Sequence, residues 1–290
     1  MSLTLIVAQF SAFLRDPPRF SYVAPNDKWV TRKLVESLEV LFGRRQMESI
    51  YRNLRAGPFD VEAFFIDALE ESRINVALDS SALANIPREG PLLFVANHPF
   101  GVVDGMIMCE MAMRVRGNFR IMLHSLLCQD RALAPYFLPI DFRDTKAARK
   151  TNIRSKQVAL ESLSADIPVI IFPAGMVSTA NRLGFGKVTD APWTTFAAKI
   201  VKSAQASVVP VFFHGQNSRR FHMASHIAEP LRMALLVNEA LRMFGSTVEV
   251  AVGETLPWET LEAQGNRKDL TLFMYEQVQS LGSPTCRNFS

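Results

Sequence analysis

The chain has 290 residues, 48% of them hydrophobic, with a formal charge of +4 and an isoelectric point of about 9.1. That much apolar material excludes extended disorder and suffices for a large buried core. The mild positive bias suits an anionic membrane surface, an acidic partner or nucleic acid, and selects none of them. Three cysteines, Cys109, Cys128 and Cys286, show neither metal-ligand spacing nor an even count, which argues against a disulfide framework and for free structural thiols in a reducing compartment.

Residues 1–14 are apolar, but they lack a basic leading segment and run into Arg15-Asp16-Pro17-Pro18 without a small-residue cleavage site. They also fall short of the ~20 residues needed to span a bilayer. Their apolar positions encircle a helix, which fits docking against the protein as well as lying in a membrane interface. Residues 28–55 and 59–71 read as helices, with Leu34, Leu38, Leu41 and Phe42 at helical spacing and Gly57-Pro58 as punctuation. We expect residues 1–85 to form an N-terminal helical region, either a packed annex or a membrane-facing platform, beside a main domain over residues 86–290.

The most informative stretch is 90–105, Gly-Pro-Leu-Leu-Phe-Val-Ala-Asn-His-Pro-Phe-Gly-Val-Val-Asp-Gly. Leu92 to Ala96 is continuously apolar, the mark of an interior strand. Pro99 and Gly101 then turn the backbone sharply, leaving His98 at the strand end with a helix behind it. Along a regular helix, six positions would rotate Asp104 away from His98; across a turn the two can meet. An imidazole oriented by a carboxylate is a general base, able to take a proton from an attacking hydroxyl without any protein nucleophile.

From residue 90 onward, apolar runs at 92–96, 119–123, 137–141, 168–172, 208–213 and 248–252 alternate with stretches of helical spacing. That is the pattern of an α/β fold whose functional loops gather at strand ends. After Arg143, the basic residues Lys146, Lys150 and Arg154 recur at steps of three, four and four, with Arg149 and Lys156 beside them, so one helix face is strongly cationic. His222 and His226 are four apart without an accompanying acid or third ligand, so packing or surface roles are expected and no metal. Residues 231–244 and 259–281 read as covering helices and the tail from Gly282 as loose.

Asn97-His98 with Asp104 after a glycine-containing turn resembles the first motif of the lysolipid acyltransferase family, which includes the 1-acylglycerol-3-phosphate acyltransferases. Five residues separate His98 from Asp104, where that family usually has four; this resembles the branch of lyso-ornithine lipid acyltransferases and hemolysin-like proteins. Leu138-Pro139-Ile140-Asp141-Phe142-Arg143, Ile171-Phe172-Pro173-Ala174-Gly175 and Val209-Pro210-Val211 follow in family order, and the likeness covers about residues 86–215. It implies a mixed central sheet flanked by helices. Lys187, Trp193 and Phe213-His214-Gly215-Gln216-Asn217-Ser218 resemble positions of the same branch.

By this resemblance, His98 and Asp104 catalyse acyl transfer from a thioester of acyl carrier protein or coenzyme A to a lysolipid hydroxyl. Backbone N–H groups near the Gly101 turn stabilise the oxyanion. Asn97, Gly101, Arg143, Pro173, Ala174, Gly175, Asn217 and Ser218 contact the acceptor. No tightly bound cofactor, metal or nucleic-acid partner is implied, and the cationic helix face would grip an anionic head group or an acidic carrier protein. Ala174 and Met176 stand where the family usually has glutamate and threonine, which shifts the expected acceptor to lyso-ornithine lipid or a related aminolipid. Lysophosphatidate acylation and a noncatalytic lipid-binding role are the alternatives. Peripheral attachment to the cytoplasmic face of a membrane is expected, since both acyl donors are found there.

Overall fold

The computed structural model describes residues 3–19, 21, 23, 28–57, 59–227 and 229–283. Cys286, most of the expected loose tail and the side chain of Leu34 lie outside the described residues. In chain order the elements are α1 (Leu3–Gln9), α2 (Trp29–Leu41), α3 (Arg44–Leu54), α4 (Val61–Glu71), β1 (Asn75–Leu78), α5 (Ser80–Ala84), β2 (Leu92–Ala96), α6 (Val102–Arg116), β3 (Arg120–His124) and β4 (Phe137–Ile140). They continue with α7 (Lys146–Leu163), β5 (Val169–Ile171), α8 (Phe196–Ala204), β6 (Ser207–Phe213), α9 (Arg219–Ser225), α10 (Glu229–Arg242), β7 (Thr247–Val252), α11 (Trp258–Glu262) and α12 (Arg267–Ser280).

The strands form one sheet in the order β1-β7-β6-β2-β5-β3-β4. Every neighbouring pair is parallel except β6 and β7, which are antiparallel, so the sheet is mixed. The uninterrupted apolar run of β2 follows from its central place. Leu92, Phe94 and Ala96 enter the layer that holds α4 and α6, while Leu93 and Val95 enter the opposite layer with α1, α7, α8 and α12. Both faces are covered by helices, so alternate residues are equally apolar and the period-two signal vanishes.

The structure refines three sequence expectations. The segment 28–55 is two helices, because Gly43 at φ 99° turns the chain and a side chain there would clash with Leu241 Cδ1. The apolar start of the chain docks on the protein, with Ile6 and Phe10 buried in the second layer. The boundary expected at 85/86 falls between β1 and β2 of one sheet, so residues 1–85 also supply an edge strand, registered with Asn75 opposite Thr247 on β7. That strand has only four residues, too few for a periodic signal. Cys109 and Cys128 are free and buried, and burial pushes both thiols well above their ordinary range.

Candidate active site

The site grows from the end of β2. Gly101 adopts φ 82°, ψ −111°, backbone that a residue with a Cβ resists, and an added Cβ would also stand 3.2 Å from Val177 Cγ2. This turn places Asp104 in the first turn of α6, where its Oδ2 accepts the backbone N–H groups of Phe100 (2.8 Å) and Gly101 (2.9 Å). The same oxygen lies 3.0 Å from Nδ1 of His98. The carboxylate is fully buried and its Oδ1 has no hydrogen-bond partner among the described residues. Burial pushes the Asp104 pKa up, against the opposing pull of His98 and the two amides. A carboxylate facing Nδ1 selects the tautomer with its proton there and leaves Nε2 as the basic nitrogen. The His98 ring stacks on Phe172, with centroids 4.0 Å apart, which fixes its plane.

The backbone of His98 is held from the long excursion between β5 and α8. Its carbonyl accepts the N–H of Ser178 at 2.8 Å, and its own N–H donates to Asp190 Oδ1 at 3.3 Å. Asp190 also accepts the Ser178 hydroxyl and, through Oδ2, the indole N–H of Trp193 at 2.8 Å. Asp190 therefore joins three points of the site, yet nothing in the sequence marked it: a lone aspartate ninety-two positions from its partner has no spacing signature.

His98 faces a cavity of about 910 Å³ that opens over the C-terminal ends of β2 to β5. It extends between α3, α4 and α6, where Met47, Leu54, Phe64, Phe65, Ala68 and Cys109 make its wall apolar. That volume is near the top of the range for small-molecule sites, ~300–1,000 Å³. Helices α3 and α4 of the N-terminal region are thus a wall of the site. Tyr51 of α3 hydrogen-bonds Asp130, and Arg55 Nε reaches the same carboxylate at 3.0 Å, which ties α3 to the β3–β4 connection.

The sequence profile of a family described as Acyltransferase matches residues 46–282, most of the chain. The chain belongs to this acyltransferase family. The lyso-glycine lipid O-acyltransferase of Phocaeicola vulgatus is 28% identical over 228 residues, covering 75% of this chain and 77% of that protein. The lyso-glycine lipid O-acyltransferase of Bacteroides thetaiotaomicron is 31% identical over 208 residues, covering 68% of this chain and 72% of that protein. The crystal structure of the 1-acyl-sn-glycerophosphate (LPA) acyltransferase PlsC from Thermotoga maritima aligns with a TM-score of 0.51 at 16% identity, over 99% of this chain and 97% of that one, and so shares the fold. The protein is therefore an O-acyltransferase of the lysolipid and glycerolipid superfamily. Its relatives carry glycine-lipid names where the His98 to Asp104 spacing had suggested the ornithine branch.

Within this acyltransferase, His98, Gly101, Arg143, Pro173, Ala174 and Gly175 all line the cavity. Arg143 stands half-exposed there, paired with Asp141 through Nε at 2.9 Å, a contact that holds the Asp141 carboxyl below its ordinary range. The other expected residues, Asn97, Asn217 and Ser218, do not line the cavity. Asn97 braces strands: its side-chain N–H donates to Phe213 O at 3.0 Å and its side-chain oxygen accepts from Phe213 N at 2.7 Å. Asn217 is buried away from the cavity lining, and Ser218 caps α9 and bonds Glu239 at 2.6 Å. The amides of Phe100 and Gly101 hold Asp104, so they are engaged before any oxyanion forms. His222 and His226 both pack on Ala180, one accepting its N–H at 3.3 Å, the other meeting its carbonyl at 2.8 Å. Among the described residues, no cluster of three metal-ligating side chains occurs and no helix is long and apolar enough to cross a membrane.

Proposed function

We propose that this acyltransferase esterifies the free hydroxyl of a lysolipid with an anionic head group, using an acyl carrier protein or coenzyme A thioester, while attached peripherally to a membrane. The observation that carries the reading is the His98–Asp104 pair, 3.0 Å apart, set at the edge of a large apolar cavity. His98 Nε2 removes the hydroxyl proton as the oxygen forms a bond to the thioester carbonyl carbon. Asp104 stabilises the imidazolium so formed. The tetrahedral intermediate collapses with cleavage of the C–S bond, and the departing thiolate recovers the proton from His98. Atoms balance without an acyl-enzyme.

The acceptor reading rests on the two glycine-lipid relatives and on Ala174, which leaves the cavity edge without a carboxylate at that position. A glycine head group presents one carboxylate and lysophosphatidate presents a phosphate, so both offer a hydroxyl beside an anion; the presence of Arg143 in the cavity lining supports a role in meeting either. Lyso-ornithine lipid adds an amine. The test offers lyso-glycine lipid, lysophosphatidate and lyso-ornithine lipid in parallel to the protein and its His98→Ala variant. Turnover on an anionic acceptor, reduced at least ~10³-fold in the variant, is expected. A preference for lyso-ornithine lipid sinks the anionic-acceptor reading, and full activity of the variant sinks the general base.

A further inference from the structure

Two adjoining segments, one of which reaches the cavity at Met176, expose large apolar side chains without covering them. The β5–α8 excursion presents Met176, Leu183 and Phe185 at 47%, 68% and 52% exposure, and α9 with its C-terminal end presents Met223 and Ile227 at 44% and 73%. They form one surface. Arg219 of α9 lies over the Phe185 ring at 3.5 Å, the backbone at Gly184 abuts that of Arg219, and His226 Nε2 meets Ala180 O at 2.8 Å. The surface is continuous with the active site. Met176 lines the cavity beside Arg232, whose Nη1 contacts the Met176 sulfur at 3.6 Å, and across Gly175 stands the half-exposed ring of Phe142.

The stretches that carry the exposed apolar residues are cationic, and the nearest acid of the excursion, Asp190, is turned inward onto His98, Ser178 and Trp193. Residues 174–188 contain Arg182 and Lys187 and no Asp or Glu; residues 214–228 contain Arg219 and Arg220 and no Asp or Glu. Exposed apolar side chains set among cations fit the interfacial zone of an anionic bilayer, where the former enter the acyl boundary and the latter meet lipid phosphates. An acidic carrier protein would use the cations but leave Leu183 and Ile227 in water. The cationic start of α7, with Lys146, Arg149 and Lys150 exposed, suits such a partner better. Helix α2 also exposes Trp29 and Leu41, but its charge is mixed, Arg32 and Lys33 with Glu36 and Glu39, and it does not adjoin Met176 as the excursion does.

We infer that the surface formed by Met176, Leu183, Phe185, Met223 and Ile227, rimmed by Arg182, Lys187, Arg219 and Arg220, docks on an anionic lipid bilayer and so holds the cavity opening against the membrane. This deepens the proposed function by naming the face through which a lipid acceptor arrives. The geometry delivers a lysolipid from the bilayer past Phe142 and Met176 to His98 without full exposure of its chain to water.

The test is sedimentation of the full chain with phosphatidylglycerol-containing and pure phosphatidylcholine vesicles. The double variant Leu183→Ser/Phe185→Ser should lose about tenfold in partitioning, while Leu272→Ser, an equally exposed leucine on α12 behind the other face of the sheet, should not. Arg219→Glu should weaken binding to the anionic vesicles, and added salt should mimic it. Unchanged melting temperatures separate these effects from misfolding. Sedimentation of the double variant at the wild-type level overturns the inference, as does loss of reaction with acyl carrier protein thioesters alone while vesicle binding persists. Binding requires no turnover, so His98→Ala should sediment like wild type. A protein that binds vesicles but acylates no acceptor therefore defeats the proposed function and leaves the docking face standing.

Discussion

The two faces of the central sheet are built from the same strands and do different work. Behind the sheet, Leu93, Val95, Val158, Leu163, Ile200 and Met274 close into a continuous core with α1, α7, α8 and α12. In front, Phe94, Ile107, Phe119 and Val211 form a core of comparable composition, yet α3, α4 and α6 stand far enough off to enclose the cavity beside His98. Adjacent residues of one strand serve opposite ends: odd positions of β2 stabilise, and the even ones lead to the chemistry. The difference teaches that composition decides burial, whereas the spacing of the covering helices decides whether buried apolar surface becomes core or binding site.

If this division is right, changes at the site and changes behind the sheet should fail differently. The largest effect should come from Asp104→Asn, which keeps the size of the side chain but no longer selects the correct tautomer of His98; kcat should fall about 10²–10⁴-fold with a smaller change in KM. Leu163→Ala, behind the sheet, should cost about 2–5 kcal/mol in denaturant unfolding and leave kcat unchanged below the lowered melting temperature. An equal loss of kcat in folded Leu163→Ala protein would show that the two faces are coupled.

A smaller effect is expected at Asp190, a positioning residue that acts through the backbone of His98. Asp190→Ala should lower kcat roughly 10–100-fold, and Asp190→Asn, which retains an acceptor oxygen, should recover part of it, with steady-state kinetics as the readout. Equal activity of the alanine variant and wild type would reduce Asp190 to loop packing. The smallest effect concerns pH. Burial raises the Asp104 pKa on folding, so its contribution to stability is greatest below the ordinary carboxylate range and is lost as pH climbs through the folded value. Melting temperatures of wild type and Asp104→Asn, compared between about pH 4 and pH 7, should therefore shift in favour of the variant as pH rises. A shift in the opposite direction would mean that the His98 contact outweighs burial.

Much of this was legible because it is local. The β2 run, the turn at Pro99 to Gly101 and the approach of Asp104 to His98 lie within thirteen residues, and short-range backbone rules bring them together. Parallel strands long enough to be wholly buried were likewise visible as apolar runs. Edge strand β1 was not, because its four residues are exposed or half-buried and form no apolar run, and its pairing with β7 spans the length of the domain.

The sequence by itself determined the alternating α/β pattern and the approach of Asp104 to His98, since each depends on residues close along the chain. Only the tertiary structure decided that Asn97 braces β2 to β6, that Asp190 of the β5–α8 excursion holds His98, and that α3 and α4 wall the cavity. Those roles arise from contacts between segments distant in sequence. The physical reason is that hydrogen-bonding capacity is a property of a residue, whereas the partner that satisfies it is fixed only when the chain has packed.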